Sequence, residues 1–285
     1  MDQNAISESD RIAKATLARF GEFMPAPATL PEAGADELRR MLEHSSHRKW
    51  TPQPVDDALL KLLFACALSA PSKSDLQQAD IIHVVNRAYI KAIADLIPDM
   101  PWINNAPVFL VFCGNNRRIR QIGEWRGKPF VNEHLDHFMN AAVDAGIILS
   151  QFIRAAEAAG LGTVPISAVR NHPRETSKII GLPEGVFPVA GLCVGYPLER
   201  GYITPRLPLD VTLHSDRFDE TRLKENIDAY DQRRHIVHPL RKQRHSNLYP
   251  DVPFNGWSED KARHYSVPER SDFGAFIRDQ KFSLK

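Results

Sequence analysis

A single long periodic segment, from about Asn132 to Ala159, constrains the fold of this chain more than any other feature of its sequence. Apolar and small residues recur in it at alternating steps of four and three positions: Leu135, Met139, Ala142, Gly146, Leu149 and Ile153. This spacing predicts a long helix with a coiled-coil-like seam that ends at Gly160, and the small residues would let a second helix approach closely. Two interpretations stay open, a core helix of a monomer and a helix at a dimer interface.

Short apolar runs that are typical of buried strands alternate irregularly with helical stretches along the rest of the chain. The strand-like runs span residues 81–85, 107–113, 163–167 and 187–197, and the predicted helices span residues 8–23, 36–43, 55–68, 87–97, 173–181 and 219–234. This irregular alternation favours an α+β fold over a regular doubly wound sheet. The stretch from Pro25 to Ala35 contains three prolines and no apolar period, which predicts a linker. We therefore expect an N-terminal extension, residues 1–35, before a main domain, residues 36–285.

Composition narrows the classes of function. The 285 residues include 36 Lys and Arg against 35 Asp and Glu, and this balance argues against non-specific binding to nucleic acid. The chain has neither a run of about 18 apolar residues nor an N-terminal signal pattern, so we predict no membrane partner. Cys66, Cys113 and Cys193 lie in apolar stretches, which indicates buried thiols and a reducing, cytoplasmic compartment.

The first cluster with chemical potential is EHSSHRKW, residues 43–50, at the end of a predicted helix. Two hydroxyls, two imidazoles, Arg48 and Lys49 lie close together there, and such a set suits a phosphate dianion. The alternative interpretation is a solvated basic helix end, which the helix dipole favours.

Three further clusters follow along the chain. The polar loop 69–78 offers hydroxyls and a carboxamide that could surround the edge of a heteroaromatic ring, and the short side chains of 160–173 would let a flat ligand approach the backbone. Arg206 places a cation on a stiff segment between two prolines, within residues 204–209. Each cluster also has an ordinary interpretation: a plain turn, a tight connection and a surface arginine, respectively.

Other signals are weaker. His134 and His137, like His235 and His238, have a spacing that zinc ligands can use, but without a third ligand we predict no metal site. The GxSxG, Walker A and GxGxxG motifs are absent. The basic run 233–245 could contact RNA, but with a balanced total charge we prefer a mobile, solvated loop or a clamp for a small anion.

Taken in order, these clusters resemble the flavin-dependent nitroreductase superfamily, and most closely its oxygen-insensitive NADPH nitroreductases and flavin reductases. Residues 44–50 resemble the family's H-R-S-x-R-x-[FY], residues 72–77 its serine-rich loop that ends in Leu-Gln, and residues 160–171 its G-L-G-x-x-x-I-G-G-x-R-N. The likeness covers about residues 36–280, and its specificity lies in the ordered set of motifs rather than in any one of them.

Four residues depart from the family pattern. Ser45 stands where the family has Arg, Ser167-Ala168 where it has Gly-Gly, and Thr204 where it has Lys. The loss of one phosphate-binding cation at position 45 would be offset by Lys49 or Lys73.

The resemblance implies a nitroreductase-like fold, in which helices flank a central mixed or antiparallel sheet and the long helix lies at a homodimer interface. It also implies non-covalently bound FMN. The implied cofactor-binding residues are His44, Ser45, Ser46, Arg48, Ser72, Lys73, Ser74, Gln77, Pro165, Ile166, Ser167, Ala168 and Arg206. Of these, His44, Ser46, Arg48 and Arg206 would hold the phosphate and ribityl chain, and the backbone of 165–168 would face the N5–O4 edge of the flavin.

The implied activity is a ping-pong oxidoreductase that takes hydride from NAD(P)H, with NADPH preferred as co-substrate. Nitroaromatics, quinones or free flavin would be the small-molecule electron acceptors. No catalytic side chain is predicted, because the flavin carries the hydride. Arg241, Lys242 and Arg244 would bind the 2′-phosphate of NADPH, since no acidic residue follows them until Asp251. The alternative functions are a flavin-binding or storage protein and an RNA-binding module.

Overall fold

The computed structural model describes residues 7–285, and its chain forms two compact units. The sheet unit contains Ser46–Gly201 and Arg270–Lys285, and the helical unit contains Tyr202–Glu269 and the described residues up to Ser45. The first six residues of the predicted N-terminal extension lie outside the described residues, and its boundary at residue 35 stays a prediction.

Four antiparallel strands form the sheet: β1 (Ala79–Val84), β2 (Val108–Asn115), β3 (Gly162–Ile166) and β4 (Val186–Gly195). Their order across the sheet is β1-β2-β4-β3. All residues of β2 and all but one of β4 are buried, because these two central strands have apolar layers on both faces. The predicted α+β class and all four predicted strands are confirmed.

The alternation of side chains along β2 divides the sheet unit into two cores. Phe109 and Val111 face a core to which α4 (Arg87–Asp95) contributes its buried isoleucines, with α7 (Pro173–Ile180) packed against it. Leu110 and Phe112 face the opposite core, which contains residues of α3 (Asp57–Leu68) and α6 (Leu135–Ala158). The sheet is thus covered by helices on both faces, as its apolar central strands require.

The long predicted helix is α6, and Gly160 follows it with a φ of +78°, as predicted for a C′ glycine. The side of α6 that its own chain buries contains Ala141, Ala145, Ile148, Phe152 and Ala156. The predicted seam lies beside this buried side, since Leu135 is 49% exposed and Met139 is 55% exposed. A Cβ atom on Gly146 would meet no atom within 4 Å. Much of the seam is therefore uncovered by its own chain.

The helical unit contains α1 (Glu8–Phe20), α2 (Glu32–Leu42), α8 (Leu209–Thr212), α9 (Leu223–Val237) and α10 (Trp257–Tyr265). The predicted linker was too long, because α2 begins at Glu32 directly after Pro31 instead of at residue 36. The helix ends of α1 and α3 are close to the predicted ones. In each of them a side chain caps the N-terminus, Ser7 in α1 and Asp56 in α3.

Four helices were missed by the sequence analysis: α5 (Arg117–Trp125), α8, α10 and α11 (Phe273–Asp279). α5 has no buried residue and α8 spans a single turn, so neither contributes a buried apolar face to the core. α11 belongs to the sheet unit, where Phe276 and Ile277 pack with Phe187.

All three cysteines are free thiols; Cys113 and Cys193 are buried and Cys66 is half-buried. Burial raises the pKa of the Cys113 and Cys193 thiols far above its ordinary value. No helix in residues 7–285 has both the length and the apolar character needed to cross a membrane.

Candidate functional site

The residues predicted to bind a cofactor are divided between the two units. His44, Ser45 and Arg206 belong to the helical unit, together with Arg241, Lys242 and Arg244. The other predicted residues belong to the sheet unit, where they form two groups at different edges of the sheet: Ser46, Arg48 and Pro165–Ala168 in one group, and Ser72, Lys73, Ser74 and Gln77 in the other.

The first group lies at the β3 edge of the sheet. Ser46 forms a parallel bridge with Thr163, and the backbone N–H of His47 donates to the carbonyl oxygen of Thr163 at 2.8 Å. This close approach depends on Gly162, because a Cβ atom there would lie 2.7 Å from the Cγ atom of His47. The segment that carries Ser46 and Arg48 is thereby fixed beside β3.

The Arg48 side chain is exposed, and its guanidinium lies over the ring of Trp102, 5.6 Å from the ring centroid. Such a cation–π contact orients the side chain and leaves its charge in place. Within residues 7–285, Arg48 forms no ion pair, whereas the neighbouring Lys49 pairs with Glu199 at 3.0 Å. Arg48 is therefore the cation of this segment whose charge is available to an anion. Lys49 is a weaker substitute for the arginine missing at position 45 than the sequence suggested.

Residues 165–168 cover the end of β3 and the turn that follows it. β3 is an edge strand paired with β4, and no other strand of the described chain pairs with Pro165 or Ile166. The side chains of Ile166 and Ala168 are buried, whereas Pro165 and Ser167 are exposed. The peptide groups here lie on an open sheet edge that a flat ligand can approach.

Arg270 is a residue at this edge that the sequence analysis did not identify. Its Nε donates to Oδ1 of Asn171 at 2.7 Å, and its Nη2 donates to the hydroxyl of Ser167 at 3.3 Å. Burial lowers the pKa of Arg170, and the charge of Arg270 lowers it further. Two cations thus lie close to the 167–171 turn, and only tertiary structure brings Arg270 there.

The second group is the loop 72–78, which leads into β1. It is held by the carboxylate of Asp144 on α6, a residue that is only 2% exposed. Asp144 accepts hydrogen bonds from the Ser72 hydroxyl at 2.8 Å and from the backbone N–H groups of Lys73 at 3.2 Å and Gln78 at 3.1 Å. The Ser72 hydroxyl in turn accepts from the N–H of Gln77 at 2.7 Å. One buried carboxylate therefore determines the shape of the predicted loop.

This loop contains unusual backbone conformations. Ser74, Asp75 and Gln77 all have positive φ angles, of 51°, 55° and 51°. Non-glycine residues adopt this left-handed region at a cost, and such residues cluster at ligand sites. The strain is maintained by the hydrogen bonds to Asp144, which points to a function that needs this loop shape.

A cavity of about 500 Å³ lies beside the loop. Polar groups of Ser72, Gln77, Arg118 and Asp144 line it together with the apolar side chain of Ile148. Arg118 donates to the carbonyl oxygen of Gln77 and to the carboxylate of Asp80, which closes the loop on its outer side. The lining is thus mixed, with more polar than apolar residues, and the volume lies within the range of small-ligand sites.

The two groups are far apart within one chain. Three inter-strand spacings separate β1 from β3, a distance of about 14 Å across the sheet. The strand pairing places Ile166 and Ile82 in the same row of residues across the sheet, through Gly191 and Val111. Ile82 lies three residues beyond the start of β1. The strands beside which the two groups lie are thus the two outer strands of the sheet.

In the helical unit, the Arg206 side chain is exposed and borders a cavity of about 360 Å³. Arg234 and Lys261 line the same cavity, so it has an excess of positive charge. His44 and Arg206 lie on separate backbone segments that are both hydrogen bonded to Arg19.

The basic segment 241–244 differs from the prediction in one respect. The sequence suggested that its charges have no acidic neighbour, but Nε of Arg244 lies 2.9 Å from the carboxylate of Asp260. This expectation was wrong for Arg244, because the fold brings α10 back onto the segment. Arg241 and Lys242 form no ion pair in the described part of the chain. A cavity of about 730 Å³ is lined by residues 238–245 and Asp260.

Several hydrogen bonds connect this segment to the rest of the helical unit, and both interpretations of the sequence, a mobile loop and an anion clamp, stay predictions. Gln243 exchanges two hydrogen bonds with the backbone of Val252, at 2.8 and 2.9 Å. The buried Arg263 donates to the carbonyl oxygens of Arg244 and Pro250. These bonds organise residues 240–252 around the cavity.

The two histidine pairs make aromatic or buried contacts. His137 is buried against Phe130, and burial lowers its pKa to about 4. His235 packs near Phe254, and His238 stacks on Tyr202. Among residues 7–285, no three His, Cys, Asp or Glu side chains come together as a potential metal site.

Comparison with known proteins places this geometry in a family. The family described as "Nitroreductase family" matches residues 41–196, and its C-terminal domain matches residues 204–285. The FMN reductase [NAD(P)H] of Bacillus subtilis is 37% identical over 198 residues, which cover 68% of this chain and 80% of that protein. The oxygen-insensitive NADPH nitroreductase of Salmonella typhimurium is 32% identical over 176 residues, which cover 61% of this chain and 71% of that protein.

Solved structures agree. The structure of NfrA2 from B. megaterium has a TM-score of 0.80 and 31% identity, and the match covers 88% of this chain and 99% of that chain. The NADPH:FMN oxidoreductase of Vibrio harveyi, solved with NAD+, has a TM-score of 0.76 and 26% identity, and the match covers 86% of this chain and 97% of that chain. The resemblance detected in the sequence is thus confirmed, and the chain belongs to the nitroreductase family.

Proposed function

We propose that this chain is an NAD(P)H-dependent flavin oxidoreductase that binds FMN non-covalently and works as a homodimer. The observation that carries the proposal is the β3 edge of the sheet, where the unpaired, oriented Arg48 lies beside the open peptide groups of Pro165 and Ile166. An anion-binding cation and an accessible backbone are the two features that a phosphorylated flat ligand needs. Relatives that share these segments are named FMN reductase and NADPH nitroreductase.

Different residues of this chain are proposed to bind different parts of FMN. Arg48 and Ser46 in the sheet unit, and His44 and Arg206 in the helical unit, are proposed to contact the phosphate and ribityl chain. The backbone of 165–168 would hydrogen bond to the N5–O4 edge of the ring system. FMN supplies the two-electron chemistry when it is bound, and the protein supplies orientation and the hydrogen bonds that tune it.

The second group of sheet residues supports the proposal of a homodimer. Ser72, Ser74 and Gln77 lie at the β1 edge, three strand spacings from the β3 edge of the same chain. A second copy of the chain can bring its own 72–77 loop to the site. The exposed seam of α6, with Leu135, Met139 and Gly146, offers the surface for that contact. We therefore propose that two chains complete each flavin site.

The co-substrate is proposed to be NADPH in preference to NADH. Arg241 and Lys242, which form no ion pair in the described residues, border the 730 Å³ cavity of the helical unit. Two free cations suit the 2′-phosphate that distinguishes the two nucleotides. Arg244 would contribute less, because Asp260 already neutralises much of its charge. The acceptor is proposed to be a small nitroaromatic, quinone or free flavin, and the free thiols fit a reducing cytoplasm.

The first test is the absorption spectrum of the purified protein, followed by stopped-flow mixing with NADPH or NADH. We expect an oxidised-flavin spectrum, release of FMN on denaturation, and bleaching of the flavin band that is faster with NADPH. A flavin spectrum without bleaching would instead indicate a flavin-binding or storage protein. Absence of any flavin, together with failure to bind added FMN, would contradict the proposal.

A further inference from the structure

Arg19 is a buried arginine near the end of α1, within the predicted N-terminal extension. Only 5% of this residue is exposed, although arginine is rarely buried in proteins. The family match covers residues 41–196 and 204–285, so α1 lies outside both matched segments. The family match therefore does not account for α1.

The guanidinium of Arg19 bridges two backbone segments that are distant in sequence. Its Nη2 donates to the carbonyl oxygens of Leu42 at 2.7 Å and His44 at 2.5 Å, and its Nε also donates to Leu42 at 3.1 Å. Its Nη1 donates to the carbonyl oxygen of Thr204 at 2.7 Å. One planar group thus fixes the segment that carries His44 to the segment that carries Arg206.

The backbone of Arg206 is fixed further by its own contacts. Its N–H donates to the carbonyl oxygen of Arg19 at 2.6 Å, and its carbonyl oxygen accepts from Nη2 of Arg233 at 2.5 Å. The hydroxyl of Tyr230 donates to the carbonyl oxygen of Pro205 at 2.9 Å. These bonds immobilise the main chain of 204–206, while the Arg206 side chain remains exposed. A cation held in this way loses little conformational freedom when it binds an anion.

We infer that Arg19 is a positioning residue for the phosphate of FMN, because it aligns the backbones that carry His44 and Arg206. This inference rests on the flavin binding proposed above. Arg19 is suited to this role because its planar fork donates in several fixed directions, which a lysine ammonium cannot reproduce. The helix α1 thereby becomes part of the phosphate site, although none of its residues contacts the phosphate.

The test compares two ligands that differ only in the phosphate, FMN and riboflavin. Arg19→Lys and Arg19→Met are prepared in the full chain, with Arg11→Met as the matched control. Arg11 lies on the same helix, is 50% exposed and pairs only weakly with Glu8 at 3.2 Å. Dissociation constants of both flavins are measured on flavin-free protein by fluorescence quenching.

We expect both Arg19 variants to weaken FMN binding by about tenfold or more, and riboflavin binding by no more than about twofold. Arg11→Met should change neither. A merely structural role of Arg19 would weaken both ligands in parallel, and that result, or unchanged FMN binding in both variants, would overturn the inference. If Arg19→Met fails to fold, Arg19→Lys, which keeps the charge, decides the question by the same ratio. If the unaltered chain binds neither flavin, the proposed function fails, and the inference fails with it.

Discussion

The two edges of the sheet differ in how they prepare a ligand site. At the β3 edge, the site consists of short side chains, open peptide groups and the oriented Arg48, all contributed by segments that lie close to β3. At the β1 edge, the loop 72–78 has a strained backbone that is held by Asp144, a residue about 70 positions away on α6. One edge is open and positively charged, and the other is shaped by a buried negative charge.

This difference suggests that the two edges contribute different kinds of contact to a ligand. The β3 edge can attract an anion and contact a flat ring through the backbone, and its geometry depends on the pairing of the Ser46–Arg48 segment with β3. The β1 edge can present hydroxyl and amide groups in a fixed arrangement, and its geometry depends on the long helix. Because α6 also carries the exposed seam, the same helix would connect the shape of the β1 edge to association with a second chain.

The largest effect is expected from Gly146→Leu, which tests whether the two edges meet across a dimer. A Cβ atom at this position meets nothing within 4 Å in its own chain, so the substitution should leave the single chain folded. In a dimer with helices packed along the seam, the added side chain would overpack the contact, by roughly 1–3 kcal/mol at each copy. We expect a monomer that has lost its FMN, measured by light scattering and absorbance. Gln151→Leu, on the exposed side of α6, is the control.

If Gly146→Leu remained a dimer with full flavin content, the seam would not be the interface. If it became a monomer that retained FMN, a single chain would suffice to hold the cofactor. The second result would contradict the proposal that two chains complete each flavin site.

The second largest effect concerns the β1 edge alone. Asp144→Ala removes the acceptor of three hydrogen bonds, and bonds to a charged group are each worth roughly 1.5–3 kcal/mol. We expect a loss of roughly 3 kcal/mol in the free energy of unfolding, measured by urea denaturation. The control is Asp136→Ala on the same helix, where an exposed carboxylate accepts one bond from Asn140, and we expect a loss below about 1 kcal/mol. Equal losses in both variants would contradict the role of Asp144.

Substitutions at the β3 edge should change the affinity for FMN rather than the free energy of unfolding. Arg48→Ala is expected to weaken FMN binding by about 2 kcal/mol, or about 30-fold, because a charge-assisted contact with the phosphate is lost. Lys49→Ala should change FMN binding much less, since Lys49 already pairs with Glu199 at the surface. Titration of flavin-free protein measures both. A larger loss in Lys49→Ala than in Arg48→Ala would reassign the phosphate cation to its neighbour.

The β3 edge could be predicted well from the sequence, because its signals are local. Short side chains at 165–168 and the cations after α2 are contiguous in the chain, and the resemblance to the family rests on the same residues. The strands and α6 could also be predicted, since each has a regular apolar period. α5 was missed although Ile119, Ile122 and Trp125 recur three positions apart, a spacing that places them on one helix face.

The β1 edge could be predicted only in part. The polar residues of the loop 72–78 were visible, but Asp144 is one polar position on a long helix, and nothing in its neighbourhood marks it as buried. Arg19, Arg270 and Asp260 were missed for the same reason: each contacts residues that are distant in sequence. The ion pair between Arg244 and Asp260 also shows that an absence of acidic residues nearby in the sequence does not leave a cation free.

The last prediction is a dependence of stability on pH, which should arise near the β1 edge. His137 lies 3.1 Å from the amide of Gln78, the residue that precedes β1. Burial lowers its pKa to about 4 from the ordinary 6.5, and the charges of Arg120, His134 and Lys73 lower it further while Asp136 opposes them. In the unfolded chain His137 takes up a proton near pH 6.5, and in the folded chain only near pH 4. The unfolded state therefore binds more protons between these values, and stability must fall as the pH falls through this window, by at most about 1.4 kcal/mol per pH unit. Below about pH 4 both states are protonated and the contribution becomes constant.

Urea denaturation of the unaltered chain and of His137→Gln at several pH values isolates this residue, because other titrating groups contribute to both. We expect the difference in stability between the two proteins to change steadily from pH 6.5 to pH 4. A constant difference across the window would mean that His137 is protonated as readily in the folded chain as in the unfolded one. Burial near the β1 edge would then not disfavour the protonated imidazole.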